Sequence, residues 1–378
     1  MADRMIFQIP SRVICGEGCV DQIGQEARQL GASKVLVVTD KNIAAAGLLD
    51  EILDSLRKSG LNLDVFDRGE PDPSVDLVNE GTAIVREQKA DLLIAVGGGS
   101  NIDAAKGISI AATNSRPIVD YEGPEKFENQ PLPILAVPTT AGTGSEITFF
   151  AVITDTQRNY KFLIWSPRIA PRAAFLDPRM VGTAPRRVKV AAGMDALTHA
   201  IESFISKAAN VYTETCALKA IELIAANFRK MLEDPDDRDA AMSMLIAANI
   251  AGFSFANAKL GIVHAMALPL SAIYHIPHGE ANSVLLPFGL DFNKTAAAHK
   301  YQRMGEALGL SRCEPADVVR AVRQLATDVG APQAMAPLGV EASSFDKMVS
   351  DAMKSGHVAV NPRTIHPEDM MAIYQAAL

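Results

Sequence analysis

Cysteine is scarce in this 378-residue chain, with four residues, Cys15, Cys19, Cys216 and Cys313. Four thiols over this length make no disulfide framework, and Cys15 and Cys19, four apart, have no second pair to complete a zinc knuckle. They are expected to be ordinary thiols of a reducing cytoplasm. Positive charge is short as well: 36 Lys and Arg stand against 44 Asp and Glu, a formal net charge of −8. With no basic run, neither nucleic acid nor an anionic membrane is expected as a partner. No apolar run reaches the roughly 18 residues that a membrane span needs, and the opening MADRMIFQIPSRV has no signal-peptide apolar region. Repeats and low-complexity segments are lacking too. What is present is a composition 48% hydrophobic and 21% charged, enough to bury one or two full cores.

The two halves carry different periods. In the first, short apolar runs at Val35–Val38, Leu63–Phe66, Leu92–Val96, Ile134–Val137 and Ala173–Leu176 alternate with helical stretches such as Leu48–Ser59 and Ser74–Gln88. That alternation predicts parallel strands in an α/β layer fold. Thr148–Ile164 departs from it: two β-rich runs flank the polar turn Asp155–Asn159 and predict a hairpin. After about Pro185 the strand signal stops, and Ala-, Leu- and Met-rich segments with helical spacing are broken by prolines. The expected organisation is an α/β domain over residues 1–184 and an all-α domain over 185–378, with the cleft between them as the default place for a site.

Val96-Gly97-Gly98-Gly99-Ser100 follows a buried strand and opens a helix. Glycines let a backbone approach a pyrophosphate, and a helix N-terminus offers N–H donors and positive dipole. Ser100 with Asp103 fits a capping box at that helix start. A second loop, Pro138 to Glu146, includes Thr139, Thr140, Gly142, Thr143, Gly144 and Ser145 and follows the next strand. Two such loops on one sheet edge suit a long phosphorylated ligand. The order is not that of an ordinary dinucleotide fold, because the acid Asp40 comes early and the glycines far downstream. Asp40 reads either as an acceptor for an adenosine ribose or as a strand-end turn or helix cap.

Among seven histidines, three sit suggestively. His199 lies four residues after Asp195, which puts both on one helix face; His264 follows an apolar stretch, and His278 sits in Ile276-Pro277-His278-Gly279. One carboxylate and three imidazoles suit Fe(II) or Zn(II) rather than Ca(II) or Mg(II). Singly, each histidine reads better as a satisfied core residue, and it is the i, i+4 pairing with Asp195 that raises the metal reading. His275, His299, His357 and His366 lie in polar or loop contexts and are expected at the surface.

In order along the chain, Gly97–Ser100, Pro138–Glu146, Gly193–Glu202 and His264 through His278-Gly279 make this sequence similar to the iron-containing (group III) alcohol dehydrogenase family. The resemblance runs from Gly16-Glu17-Gly18 to Asn361-Pro362-Arg363 and the segment after it. It implies a dinucleotide-binding domain and a helical domain with a metal between them, the architecture shared with dehydroquinate synthase. It implies metal ligands at Asp195, His199, His264 and His278, with the catalysis acting through that metal. It places the pyrophosphate of NAD on Gly97, Gly98, Gly99 and Ser100, with Asp103 in the same helix start, and Thr139 and Thr140 beside the nicotinamide. Lys161 matches a cofactor-contacting lysine, Asp72 falls where members often carry Asn, and Asp40 matches the acid that favours NAD(H) over NADP(H). The implied cofactors are NAD and Fe(II), with Zn(II) as the other metal the ligands suit.

One position departs from the family. Many members carry a second histidine four residues after the first, and here that place holds Leu268. The pocket is therefore expected to be apolar, with Phe149, Phe150, Phe253, Phe255 and Leu268 near it and Phe150 and Phe255 as substrate contacts. The leading reading is an NAD(H)-linked, metal-dependent enzyme interconverting a small primary alcohol and its aldehyde, cytoplasmic and homo-oligomeric, a dimer or higher. The alternatives are a dehydroquinate-synthase-like lyase, which would want Lys and Arg clustered around His264–His278, and a non-catalytic assembly protein on the same fold.

Overall fold

A computed structural model describes residues 5–158 and 160–378. The chain falls into two compact units. One comprises Ile9–Thr140 and Gly144–Ala184; the other comprises Ala141–Thr143, Pro185–Leu378 and the described residues up to Gln8.

The α/β unit runs β1 (Arg12–Cys15), α1 (Ile23–Gln29), β2 (Lys34–Val38), α2 (Lys41–Ala45), α3 (Asp50–Lys58), β3 (Asn62–Phe66), α4 (Val75–Gln88), β4 (Leu92–Gly97), α5 (Gly99–Thr113), β5 (Gly123–Pro124), β6 (Ile134–Pro138), β7 (Phe150–Asp155), β8 (Tyr160–Trp165) and β9 (Ala173–Leu176). Six strands form one parallel sheet in the order β1-β9-β6-β4-β2-β3. Its inner strands β2, β4, β6 and β9 are apolar runs because both their faces are covered, whereas the edge strands β1 and β3 are partly exposed. On β2, Val35 and Val37 point into a core with Ile23 of α1 and Ile52 and Leu56 of α3. Their neighbours Leu36 and Val38 point into the opposite core with Val78 of α4 and Ile102 and Ile108 of α5. The period-2 alternation of a strand thus divides one continuous Val/Leu run between two cores. Each fully buried side chain of this size is worth about 1.5–3 kcal/mol over leaving it exposed.

The strands expected from the five apolar runs are β2, β3, β4, β6 and β9. The expected hairpin is β7 and β8, paired antiparallel from Phe150↔Trp165 to Asp155↔Tyr160; Asn159 of its turn lies outside the described residues. Two strands were not anticipated. β1 is a four-residue segment that exists by pairing with β9, and β5 is a two-residue strand beside β8. Helix α4 starts where expected, with Ser74 Oγ accepting the Leu77 N–H at 3.1 Å.

The helical unit runs α6 (Arg186–Ile205), α7 (Val211–Glu233), α8 (Arg238–Ala258), α9 (Ile262–Tyr274), α10 (His278–Asn293), α11 (Ala298–Ala307), α12 (Pro315–Val329), α13 (Phe345–Ala352) and α14 (Pro367–Ala377). Helix α6 is its axis, packed by α7, α8 and α10. It is buried from Gly193 to Ile205. Helix α8 corrects the expectation about apolar runs. It is long and apolar enough by composition to cross a membrane, yet most of its apolar window is buried inside the protein. Its partners are α6 and α7, so its apolarity is that of a core helix. Ala141–Thr143 belong with this unit because Gly142 lies against α6, where a Cβ would stand 2.7 Å from the Ala192 Cα.

Candidate active site

Helix α6 supplies the first part of a polar cluster within the helical unit. Asp195 and His199, one turn apart, point to the same side and are both buried. Helix α9 adds His264 from its first turn, and α10 adds its first residue, His278. The three imidazoles converge on one atom. Their Nε2 atoms lie 3.7 Å (His199), 3.7 Å (His264) and 4.0 Å (His278) from Asp195 Oδ1. Ligands ~2.1 Å from a common ion at tetrahedral angles stand ~3.4 Å apart, so these spacings suit one first-row divalent metal. Ligand atoms of Asp195, His199 and His264 all lie within 4.8 Å of one another.

The electrostatics of the cluster also call for a cation. Asp195 is a buried carboxylate whose ion-pair partners among the described residues are the three histidines alone. A buried charge without a full counter-charge is costly. Burial pushes its carboxyl up, but His199, His264 and His278 outweigh that and hold it below the ordinary carboxylate range. Burial takes His199 down to about 3, leaving a neutral ring. Burial also pulls on His264, but bonds to Asp195 and Glu202 lift it to about 9. Phe255 of α8 covers the cluster, its ring stacked on His199 at 4.1 Å between centroids.

Three residues join the cluster that the sequence did not single out. Glu202, seven residues after Asp195 on α6, places Oε2 2.7 Å from His264 Nδ1. Asn282, one turn after His278 on α10, donates from Nδ2 to Asp195 Oδ1 at 2.7 Å and stands 3.0 Å from His264 Nε2 and 3.1 Å from His278 Nε2. The spacings i+7 and i+4 would have found both, once the buried faces of α6 and α10 were known. The third, His357, corrects the expectation that it lies at the surface. Its ring stands 6.2 Å from that of His264, and its Nδ1 accepts the Leu260 N–H at 3.3 Å. Burial holds it down at about 4. The loop folds back over α9 because Asn361 Oδ1 accepts the Ile262 N–H at 3.1 Å. His275, His299 and His366 are exposed, as expected.

In the α/β unit, Asp40, Gly97–Ser100 and Thr139–Thr140 lie at the carboxyl ends of β2, β4 and β6, whereas Asp72 follows β3 and Lys161 lies on β8. Gly97 turns the chain out of β4 at φ 149°, and a Cβ there would meet Asn101 at 2.0 Å, so only glycine fits. Helix α5 then begins at Gly99 with no side-chain cap. The N–H groups of its first turn, Gly99 and Ser100 included, are the kind that bind anions. The Thr139 N–H donates to the Gly97 carbonyl at 3.0 Å, and a Cβ on Gly98 would lie 3.4 Å from Thr140 Oγ1. The two hydroxyl- and glycine-rich loops therefore touch. Asp40 caps α2, its Oδ1 accepting from Asn42 N and Ile43 N, while Oδ2 accepts from Asn101 Nδ2 at 2.7 Å. Lys161 and Asp72 form an ion pair at 2.8 Å.

Asp103 does not form the expected capping box. Its Oδ1 accepts from Ser145 Oγ at 2.5 Å and lies 3.4 Å from Lys106 Nζ, and its Oδ2 accepts the Val152 N–H at 3.0 Å. Tertiary partners on the 144–152 segment have taken the carboxylate from the helix end. Lys106, wholly buried, also donates to Ser145 Oγ, Thr148 Oγ1 and the Phe150 carbonyl, at 3.0, 3.1 and 2.7 Å. Phe150 is partly exposed, and its ring centroid lies 5.9 Å from Lys106 Nζ. Leu268, in the helical unit, is 41% exposed one turn beyond His264 on α9.

Comparison with known proteins gives the same family from both halves of the chain. Residues 10–178 match the model of the iron-containing alcohol dehydrogenases, and residues 189–378 match that of the C-terminal part of the Fe-containing alcohol dehydrogenase family. The 1,3-propanediol dehydrogenase of Klebsiella pneumoniae is 39% identical over the whole of both chains. The NAD-dependent methanol dehydrogenase of Bacillus methanolicus is 34% identical over 98% of this chain and 99% of its own. A crystal structure of 1,3-propanediol oxidoreductase superposes with a TM-score of 0.96 at 38% identity, covering 99% of this chain and all of that one.

Proposed function

The chain belongs to the iron-containing alcohol dehydrogenase family, whose members use NAD and iron, and on that premise we propose which residues carry the reaction. Asp195, His199, His264 and His278 hold one divalent iron, with Zn(II) also suited to the ligands. The observation behind this reading is the convergence of three Nε2 atoms, 3.7–4.0 Å away, on the Oδ1 of a buried carboxylate. When bound, the metal supplies Lewis-acid polarisation of the substrate oxygen and the nicotinamide carries the hydride.

The remaining roles belong to the protein. Gly97, Gly98, Gly99 and Ser100 receive the pyrophosphate at the uncapped start of α5. Thr139 and Thr140, on the adjoining loop, line the nicotinamide half. Asp40 accepts from the adenosine ribose with the acceptor position that capping α2 and holding Asn101 leave free, and its charge repels a 2′-phosphate. Lys161 and Asp72 act as a pair on the adenosine side. Asp103, held by Ser145, Lys106 and Val152, serves the cofactor by fixing the two loops rather than by touching it. Phe150, Phe255 and Leu268 present apolar surface to a small primary alcohol or aldehyde, and Phe255 does so beside His199. Substrates of the size of propanal and 3-hydroxypropanal are the class to try, given the propanediol and methanol dehydrogenases among the relatives.

We propose further that the enzyme works in the cytoplasm as a homodimer or larger homo-oligomer. Free thiols at all four cysteines support the first. Exposed apolar side chains support the second: Ile6 is 66% exposed and Val211 62%, and Tyr212, 55% exposed, stacks on Phe7.

The ligand assignment is tested with His264→Ala. The variant is expected to fold, to lose bound metal by elemental analysis, and to lose NADH-linked turnover of propanal. Retention of metal and turnover would remove His264 from the set.

A further inference from the structure

Glu202 is buried at 2% exposure in the middle of α6. Among the described residues no lysine or arginine pairs with it; the ionisable group within ion-pair distance is His264. Both of its oxygens are nevertheless hydrogen-bonded. Oε1 accepts the Val263 N–H at 2.7 Å; Oε2 accepts the His264 N–H at 3.2 Å and faces His264 Nδ1 at 2.7 Å. Both N–H groups belong to the first turn of α9, which has no side-chain cap of its own. Residue 261 must be glycine for this approach, since a Cβ there would stand 2.8 Å from Glu202 Oε1.

We infer that Glu202 is a positioning residue for the metal site: it fixes the tautomer and orientation of His264, and so sets how tightly the site binds a divalent metal. The inference rests on the ligand set proposed above. A carboxylate that accepts two backbone N–H bonds only accepts, so the proton of His264 must sit on Nδ1. Nε2, 3.7 Å from Asp195 Oδ1, is then the nitrogen left for a metal to take. The same two oxygens hold the backbone of residues 263 and 264, so ring and main chain are fixed together. Partners of this kind orient metal-binding histidines, and losing one costs about 10- to 100-fold in metal affinity.

Glutamine in place of Glu202 exposes the logic. One of its two polar atoms is an NH2 group. Facing Val263, it opposes an N–H; facing Nδ1, it forces the imidazole proton onto Nε2, where a metal must bind. Neither orientation reproduces the native set.

The experiment measures Zn(II) and Co(II) affinity by competition with a chromophoric chelator on four full-length proteins: wild type, Glu202→Gln, His264→Ala and the double variant. Melting in excess chelator is recorded alongside. Glu202→Gln is expected to bind about 10- to 100-fold more weakly and to alter the visible spectrum of the Co(II) form. The double variant is expected to bind no more weakly than His264→Ala, because Glu202 acts through that ring. Wild-type affinity in Glu202→Gln would overturn the inference, as would losses that add in the double variant. Wild-type affinity in His264→Ala would instead overturn the ligand set. If Glu202→Gln does not fold, Glu202→Asp replaces it. Aspartate keeps the charge but withdraws from Nδ1, so the same weakening is expected and unchanged affinity overturns the inference.

Discussion

Asp40 and Asp195 are both acids that accept hydrogen bonds from side-chain amides, yet they stand in opposite surroundings. Asp195 is buried against imidazoles, whereas Asp40 lies half-buried at a strand end, capping α2 and holding Asn101. The cap reading of Asp40 is seen directly, and the ribose role proposed for it is compatible with the cap, because a carboxylate has about four acceptor positions and three are used. Asp40→Gly is expected to lower the kcat/KM ratio of NADH over NADPH by roughly tenfold or more, as a like-charge clash with the 2′-phosphate is removed. A wild type that already prefers NADPH would contradict the role given to Asp40. Asp195 and His199 were legible because i, i+4 is a helix rule. Glu202 and Asn282 obey the same rule, but an acid or amide on a helix normally faces water, and nothing local says that these faces are buried. His357 was invisible for another reason: it reaches His264 through a turn held by Asn361, nearly 100 residues along the chain from its partner.

Elements were legible where one run of residues decides its own structure, as in β2, β4 and α4. They were less so where a neighbour decides. β1 depends on β9, and the start of α5 lost its expected cap when the 144–152 segment drew Asp103 away. Lys106 is the fixed point of that segment. Lys106→Met removes the buried cation beside the Asp103 carboxylate and the ammonium donor to two hydroxyls and the Phe150 carbonyl. It is expected to cost about 3 kcal/mol or more, read as a lower thermal midpoint; an unchanged melt would contradict the clamp. In the helical unit, Glu214 of α7 is held by Lys300 of α11 at 2.9 Å and by Arg303 at 2.8 Å. Burial raises its carboxyl, and the two cations outweigh this, so its pKa falls below the reference 4.5. The stabilisation is present above about pH 4.5 and is lost as pH falls through the depressed folded-state value. Glu214→Gln is therefore expected to be less stable by about 0.5–1 kcal/mol at pH 7. The gap to wild type should close in acid, and a gap independent of pH would count against the clamp.

For the whole molecule, the sequence already separated an α/β half from a helical half, because the hydrophobic period changes near Pro185. It did not show that Ala141–Thr143 join the helical unit, since that depends on how closely Gly142 can approach α6. The metal reading also makes a demand on the molecule as a unit. A metal that binds only the folded chain stabilises it in proportion to the logarithm of its concentration over its dissociation constant. Chelation should thus lower the melting temperature as well as abolish turnover. The decisive experiment is a titration of anaerobically prepared, chelator-stripped protein with Fe(II), reading bound metal per chain and NADH oxidation with propanal at each step. Turnover is expected to be absent at the start and to rise in proportion to bound iron until one ion per chain is reached. Full turnover in protein shown to be free of metal, or activity that does not follow occupancy, would contradict the site built on Asp195, His199, His264 and His278.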